Sequence, residues 1–132
     1  MTAAGQEGGP KPRVVVVEDD ASVLRMLHAL LSTVADVVLA VDGVDALEKM
    51  TKGPVPALVV TDLMMPRMDG ITLARRIRAD ARLAGVPVIM LTARAAPGDA
   101  ITGLNAGALH YVAKPFKPDE LLEKVRRVLR LP

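Results

Sequence analysis

Residues 14–20 read VVVVEDD, four consecutive valines running straight into three carboxylates. A strand whose apolar residues do not alternate with polar ones is covered on both faces, which is the mark of a parallel sheet held between two layers of helices. Four further apolar runs repeat the signal: Val37 to Val41, Ala57 to Thr61, Val86 to Leu91 and Leu109 to Ala113. Between them the spacing turns helical. Val23, Leu24, Leu27, Leu31 and Val34 fall on one stripe behind Asp20, which is placed to cap the helix. Shorter helices are expected from Val44 to Met50 after Asp42 and from Ile71 to Ala79 after Asp69. The last, after Pro118, sets Leu121, Leu122, Val125, Val128 and Leu129 against Glu123, Lys124, Arg126, Arg127 and Arg130. A fourth segment, about Pro97 to Ala106, is the weakest, because it carries Gly98 and Gly103 and each interior glycine costs about 1 kcal/mol relative to alanine. Strand and helix alternate five times, so the expected fold is α/β, an open doubly wound five-stranded parallel sheet with five helices.

The composition sets limits on function. A chain of 132 residues holds one domain, and with 51% hydrophobic but only 2% aromatic residues its core must be aliphatic. Lys and Arg exceed Asp and Glu by 17 to 15, too little to draw nucleic acid by bulk attraction. Arg75, Arg76, Arg78 and Arg82 have no interleaved aromatics and read as a solvated helix face. The lack of cysteine excludes disulfides, zinc thiolate sites and thiol catalysis. Residues 1–12, MTAAGQEGGPKP, form no apolar run and are expected to be a disordered tail before a domain over 13–132. No stretch reaches membrane-spanning length, so a cytoplasmic chain without membrane contact is expected.

Ligands of open parallel sheets bind outside the carboxyl ends of the strands. The residues there are Glu18, Asp19 and Asp20 after the first run, Asp62 after the third, Thr92 after the fourth, and Lys114 before Pro115 after the fifth. Taken alone, Asp62 is more often a turn residue than a reactive group, Asp20 is a cap, Thr92 a strand residue, Lys114 a solvated charge and Tyr111 a packing residue. Their meeting at strand ends of one sheet changes that balance. Glu18, Asp19 and Asp62 would repel one another unless a cation shares the site, and Mg2+ suits a few carboxylates combined with water and phosphate oxygens. A carboxylate so placed can serve as a nucleophile toward phosphorus, with Lys114, the Thr92 hydroxyl and backbone N–H groups neutralising the phosphoryl oxygens. Met64, Met65 and Met68 read as loop packing, and His28 and His110 as surface or edge residues.

These residues resemble the receiver domain of two-component response regulators, chemotaxis regulators among them, from Arg13 to Leu131. The resemblance rests on VVVVEDD (14–20), DLMMPRMDG (62–70), LTA (91–93) and YVAKPF (111–116). It implies a flavodoxin-like strand order of 2-1-3-4-5. It implies that Asp62 is the phosphoacceptor, that Asp19, Asp62 and the Met64 carbonyl bind Mg2+, and that Glu18 completes the acid pocket where the family more often has Asp. Thr92 and Tyr111 would be the switch pair, and Lys114 the phosphate contact behind a cis bond to Pro115. Met64 and Arg94 would flank the path of attacking water and set the phosphoryl lifetime.

The implied partners are a sensor histidine kinase or histidine phosphotransfer protein as donor, and a downstream protein met through the fourth helix, fifth strand and fifth helix. The chain would be a monomer or a phosphorylation-dependent dimer and, apart from its own phosphorylation and dephosphorylation, not an enzyme. It ends at Pro132 just after the fifth helix, with no output domain expected, and the initiating Met1 and the tail after it favour a stand-alone receiver, the alternative being a receiver cut from a larger regulator or hybrid kinase. A Mg2+-dependent phosphohydrolase of the haloacid dehalogenase kind would carry a second Asp two positions after the nucleophile, where Met64 stands. A flavodoxin would carry a hydroxyl-rich phosphate loop where Glu18, Asp19 and Asp20 stand. A receiver that binds partners without phosphorylation would not need the acid pocket.

Overall fold

Alternation within the valine run decides where the two halves of the core go. In β1 (Arg13–Val17) the side chains of Val14 and Val16 enter one apolar cluster and those of Val15 and Val17 the other, as the pleat requires. The computed structural model describes residues 10–92 and 110–131. Five parallel strands form one sheet in the order β2-β1-β3-β4-β5, with β2 at Asp36–Ala40, β3 at Leu58–Asp62, β4 at Val88–Thr92 and β5 at His110–Ala113. On one face, α1 (Ala21–Leu31) and the C-terminal helix (Pro118–Leu129) cover Val14, Val16, Val60 and Leu91 with Leu27, Leu31, Leu121 and Val125. On the other, α2 (Gly43–Lys52) and α3 (Gly70–Ala79) cover Val15, Val17, Val59 and Met90 with Ala46, Met50, Leu73, Ala74 and Ile77.

Three aspartates start three helices. The Asp20 carboxylate accepts from the N–H groups of Ser22 and Val23, Asp42 from Asp45 and Asp69 from Thr72, each satisfying donors that the first turn leaves open. The C-terminal helix starts without a side-chain cap and with Pro118 in its first turn, where a missing N–H costs nothing. The ends depart by one to three residues from the sequence reading. α1 stops at Leu31, three residues before Val34, because the Val34 and Ala35 N–H groups both turn back to the Leu31 carbonyl. β4 starts at Val88, two residues after the expected Val86, because Pro87 has no N–H to give the ladder; its carbonyl accepts from Val59 instead. β2 ends at Ala40, leaving Val41 exposed. The expected fourth helix, Pro97 to Ala106, lies outside the described residues. Four helices are described, and none of them is long and apolar enough to cross a membrane.

Candidate functional site

Parallel strands in register bring their carboxyl ends to one rim. Val17 lies beside Thr61, Asp62 beside Leu91, and Thr92 beside Ala113, so the residues that leave β1, β3 and β5 emerge together. Glu18, Asp19 and Asp62 each bring a carboxylate oxygen within 4.8 Å of the others. Glu18 is 2% exposed and Asp62 is buried, while Asp19 faces solvent. Asp62 is itself the last residue of β3 and does not follow it, so the sheet fixes its backbone.

Lys114 reaches into this cluster from the end of β5. Its N–H donates to the Thr92 carbonyl at 2.7 Å, and the Lys114–Pro115 bond is cis, as the resemblance implied. The ammonium donates to Glu18 Oε1 at 3.0 Å and lies 3.3 Å from Asp62 Oδ2. Burial holds the Glu18 carboxyl above its ordinary value, against the opposing pull of Lys114 and of the Asp20 N–H on Oε2. Burial also works against the Lys114 charge, but the two carboxylates outweigh it and the ammonium titrates above its ordinary value.

Three carboxylates against one ammonium leave two negative charges, and hard oxygen donors at this spacing fit one divalent cation such as Mg2+. Met64 follows two residues after Asp62 with its side chain 61% exposed at the rim. Thr92 is buried at the end of β4. Met90 and Tyr111 are register partners, as are Thr92 and Ala113, so Thr92 and Tyr111 share a sheet face. Tyr111 is half-buried there and packs against the cluster beneath α2 and α3. Arg94 lies outside the described residues. The structure therefore brings together Glu18, Asp19, Asp62 and Lys114, and sets Thr92, Tyr111 and Met64 around them.

Two supporting features escaped the sequence reading. Gly70 lies so close to the β3 end that a Cβ there would collide with the Asp62 carbonyl and with Met90 Sδ. Its N–H donates to the Leu63 carbonyl at 2.8 Å. Only glycine lets α3 start this near the phosphoacceptor candidate, and the MDG sequence before the helix was the signal available. The second feature is an ion pair between Arg67 and Asp42, whose positions are too far apart in the chain to betray it. Arg75, Arg76, Arg78 and Arg82 are all exposed as expected, although Arg82 lies past the end of α3 and also donates its guanidinium to the Thr51 and Gly53 carbonyls at the end of α2. His28 is exposed and His110 sits on the edge strand β5. Met65 and Met68 pack against the core.

Comparison with known proteins agrees with this geometry. The response regulator receiver domain model matches residues 14–126. The DNA-binding response regulator MtrA of Mycobacterium tuberculosis is 44% identical over 121 residues, 91% of this chain and 51% of that protein. The chain thus spans about half the length of the curated relatives it matches. Among solved structures, chemotaxis protein CheY4 of Vibrio cholerae superposes with a TM-score of 0.84 at 30% identity, covering 89% of this chain and 98% of that one. The receiver domain of sensor histidine kinase PA1611 from Pseudomonas aeruginosa, solved with a magnesium ion coordinated in its active site cleft, gives 0.82 at 32% identity, covering 91% and 98%. A valine-rich parallel sheet, an acid pocket at its carboxyl rim and a family match over most of its length establish that this chain belongs to the receiver domains of two-component response regulators.

Proposed function

We propose that this chain is a phosphorylation switch in which Asp62 takes a phosphoryl group from a phosphohistidine of a sensor kinase or phosphotransfer protein. The observation that carries the reading is the meeting of Glu18, Asp19 and Asp62 within 4.8 Å, with Lys114 3.3 Å from Asp62 Oδ2. An Asp62 oxygen attacks phosphorus, the P–N bond to the donor imidazole breaks, and the electron pair returns to that nitrogen, which takes up a proton. Glu18, Asp19, Asp62 and the Met64 carbonyl would hold Mg2+, which when bound supplies positive charge opposite the phosphoryl oxygens. Lys114 donates to one of those oxygens from the other side, and the Thr92 hydroxyl to another. Drawing Thr92 toward the phosphoryl group opens room on the sheet face it shares with Tyr111, and inward rotation of that ring changes the surface of β5. Phosphorylation acts by favouring one of two states that already exist.

An apolar groove of about 480 Å³ beside Lys114, lined by Val23, Met26, Pro115, Phe116 and Pro118, gives the donor protein a place to dock near Asp62. The downstream protein would be met through β5 and the C-terminal helix, together with the segment before β5. The site works on its own residue and is not that of a turnover enzyme, and the chain is proposed to act in the cytoplasm. Labelled acetyl phosphate with Mg2+ tests the assignment: the parent protein takes up label and Asp62→Asn does not, and equal uptake by both would end it. A second reading, that these residues are the receiver portion of a longer regulator, is favoured by their covering 51% of MtrA, itself described as DNA-binding. The size of the native protein on an immunoblot separates that reading from a stand-alone receiver.

A further inference from the structure

Arg67 has a φ of 66°, in the left-handed region that glycine enters freely and other residues enter at a cost. The turn around it is tight, since the Met68 N–H donates to the Pro66 carbonyl at 2.7 Å across Arg67. What holds an arginine here is Asp42. Arg67 Nε donates to Asp42 Oδ2 at 2.8 Å and Nη2 donates to the same oxygen. That carboxylate is 7% exposed, and its other oxygen accepts the Asp45 N–H at the start of α2. The carboxylate is buried but the Arg67 side chain is 60% exposed, so solvent weakens these charge-assisted bonds, which still exceed the exposed helix pair Lys52–Glu48, where both ends face water.

The loop after β3 is pinned elsewhere as well. Its start is held by the Leu63 N–H on the Leu91 carbonyl and its end by Gly70 on Leu63. Met68 lies over Gly43, where a Cβ would come within 2.9 Å of its Cγ and Sδ. Between these points run Met64, Met65 and Pro66, and Met64 carries the carbonyl proposed as a cation ligand.

We infer that the Arg67–Asp42 ion pair is a latch that ties the loop after β3 to the start of α2 and so presets the Met64 carbonyl for a divalent cation. Arg67 is a positioning residue, acting through the loop and touching neither metal nor phosphorus. The inference rests on the phosphoacceptor reading and deepens it.

Isothermal titration with magnesium chloride tests it on the parent, Arg67→Gly, Asp42→Asn and the double variant. Arg67→Gly keeps the turn geometry while removing the side chain, and Asp42→Asn keeps an oxygen for the helix cap. Each single change is expected to weaken Mg2+ binding about tenfold, the low end of what partners outside the direct ligands contribute. The double variant binds no more weakly than the singles, because both break the same tie. A control, Val128→Ala in the C-terminal helix on the opposite sheet face, lowers stability but leaves the Mg2+ Kd unchanged, which separates positioning from general loosening. Parent-like affinity in Arg67→Gly overturns the latch while leaving the phosphoacceptor reading intact; a parent that binds no Mg2+ overturns both.

Discussion

Replacing Lys114 by Met keeps the length of the side chain and removes the one cation found between the clustered carboxylates among the described residues. The ammonium lies 3.0 Å from Glu18 Oε1 and 3.3 Å from Asp62 Oδ2. Even at the dielectric constant of water such charges attract by about 1.4 and about 1.3 kcal/mol, and at an effective value near 20 by roughly four times as much. The desolvation that Lys114 itself suffers disappears with it and offsets part of the loss. Lys114 also keeps 24% exposure, so the net cost falls below the roughly 3–5 kcal/mol of breaking a fully buried pair, at about 2–3 kcal/mol. Mg2+ restores the missing positive charge. A ligand at a hundred times its Kd stabilises a fold by about 2.7 kcal/mol, and the variant, with three net negative charges in place of two, gains more than the parent at equal Mg2+. Urea unfolding at neutral pH followed by far-ultraviolet circular dichroism, in EDTA and then in Mg2+, measures both effects. A variant as stable as the parent in EDTA, or one that gains less from Mg2+, would refute the charge balance described here.

Gly70→Ala pushes a methyl group into the Asp62 carbonyl and Met90; overpacking of this kind costs about 1–3 kcal/mol, and both a lower urea midpoint and slower uptake from acetyl phosphate are expected. Burial, followed by the charges of Lys124 and Arg127, holds His110 below its ordinary value of 6.5. The folded chain then binds fewer protons than the unfolded chain between that lowered value and 6.5, so stability falls as pH drops through the window. In His110→Gln the fall between neutral and mildly acidic pH is shallower, and an unchanged slope of urea midpoint against pH would contradict this. Met64 at the rim offers attacking water no hydrogen bond, so Met64→Asn is expected to shorten the phosphoryl lifetime several-fold in a label-decay assay, and a lifetime equal to the parent's would remove Met64 from that role.

The elements that could be read in the sequence were those whose signal is local. Four valines in a row fixed a doubly covered strand, and Asp20, Asp42 and Asp69 marked three helix starts, because capping is decided within a few residues. The gathering of Glu18, Asp19, Asp62 and Lys114 followed from the carboxyl-end rule together with the family's strand order. Boundaries shifted where a neighbour intervened, as when Pro87 denied β4 its early start. What could not be read was long-range and specific to side-chain geometry. The Arg67–Asp42 pair depends on a left-handed residue in one loop meeting a buried cap in another, and the crowding around Gly70 depends on how closely α3 approaches β3. Neither leaves a periodic trace.

The most direct measurement is chemical mapping of the acceptor. Borohydride reduces an acyl phosphate on aspartate to homoserine, so peptide mass spectrometry of protein treated with acetyl phosphate and then borohydride reports which residue carried the phosphoryl group. Homoserine is expected at position 62, formed with Mg2+ and lost when EDTA replaces it. Homoserine at another aspartate, or at position 62 to the same extent without Mg2+, would contradict Asp62 as the Mg2+-dependent acceptor.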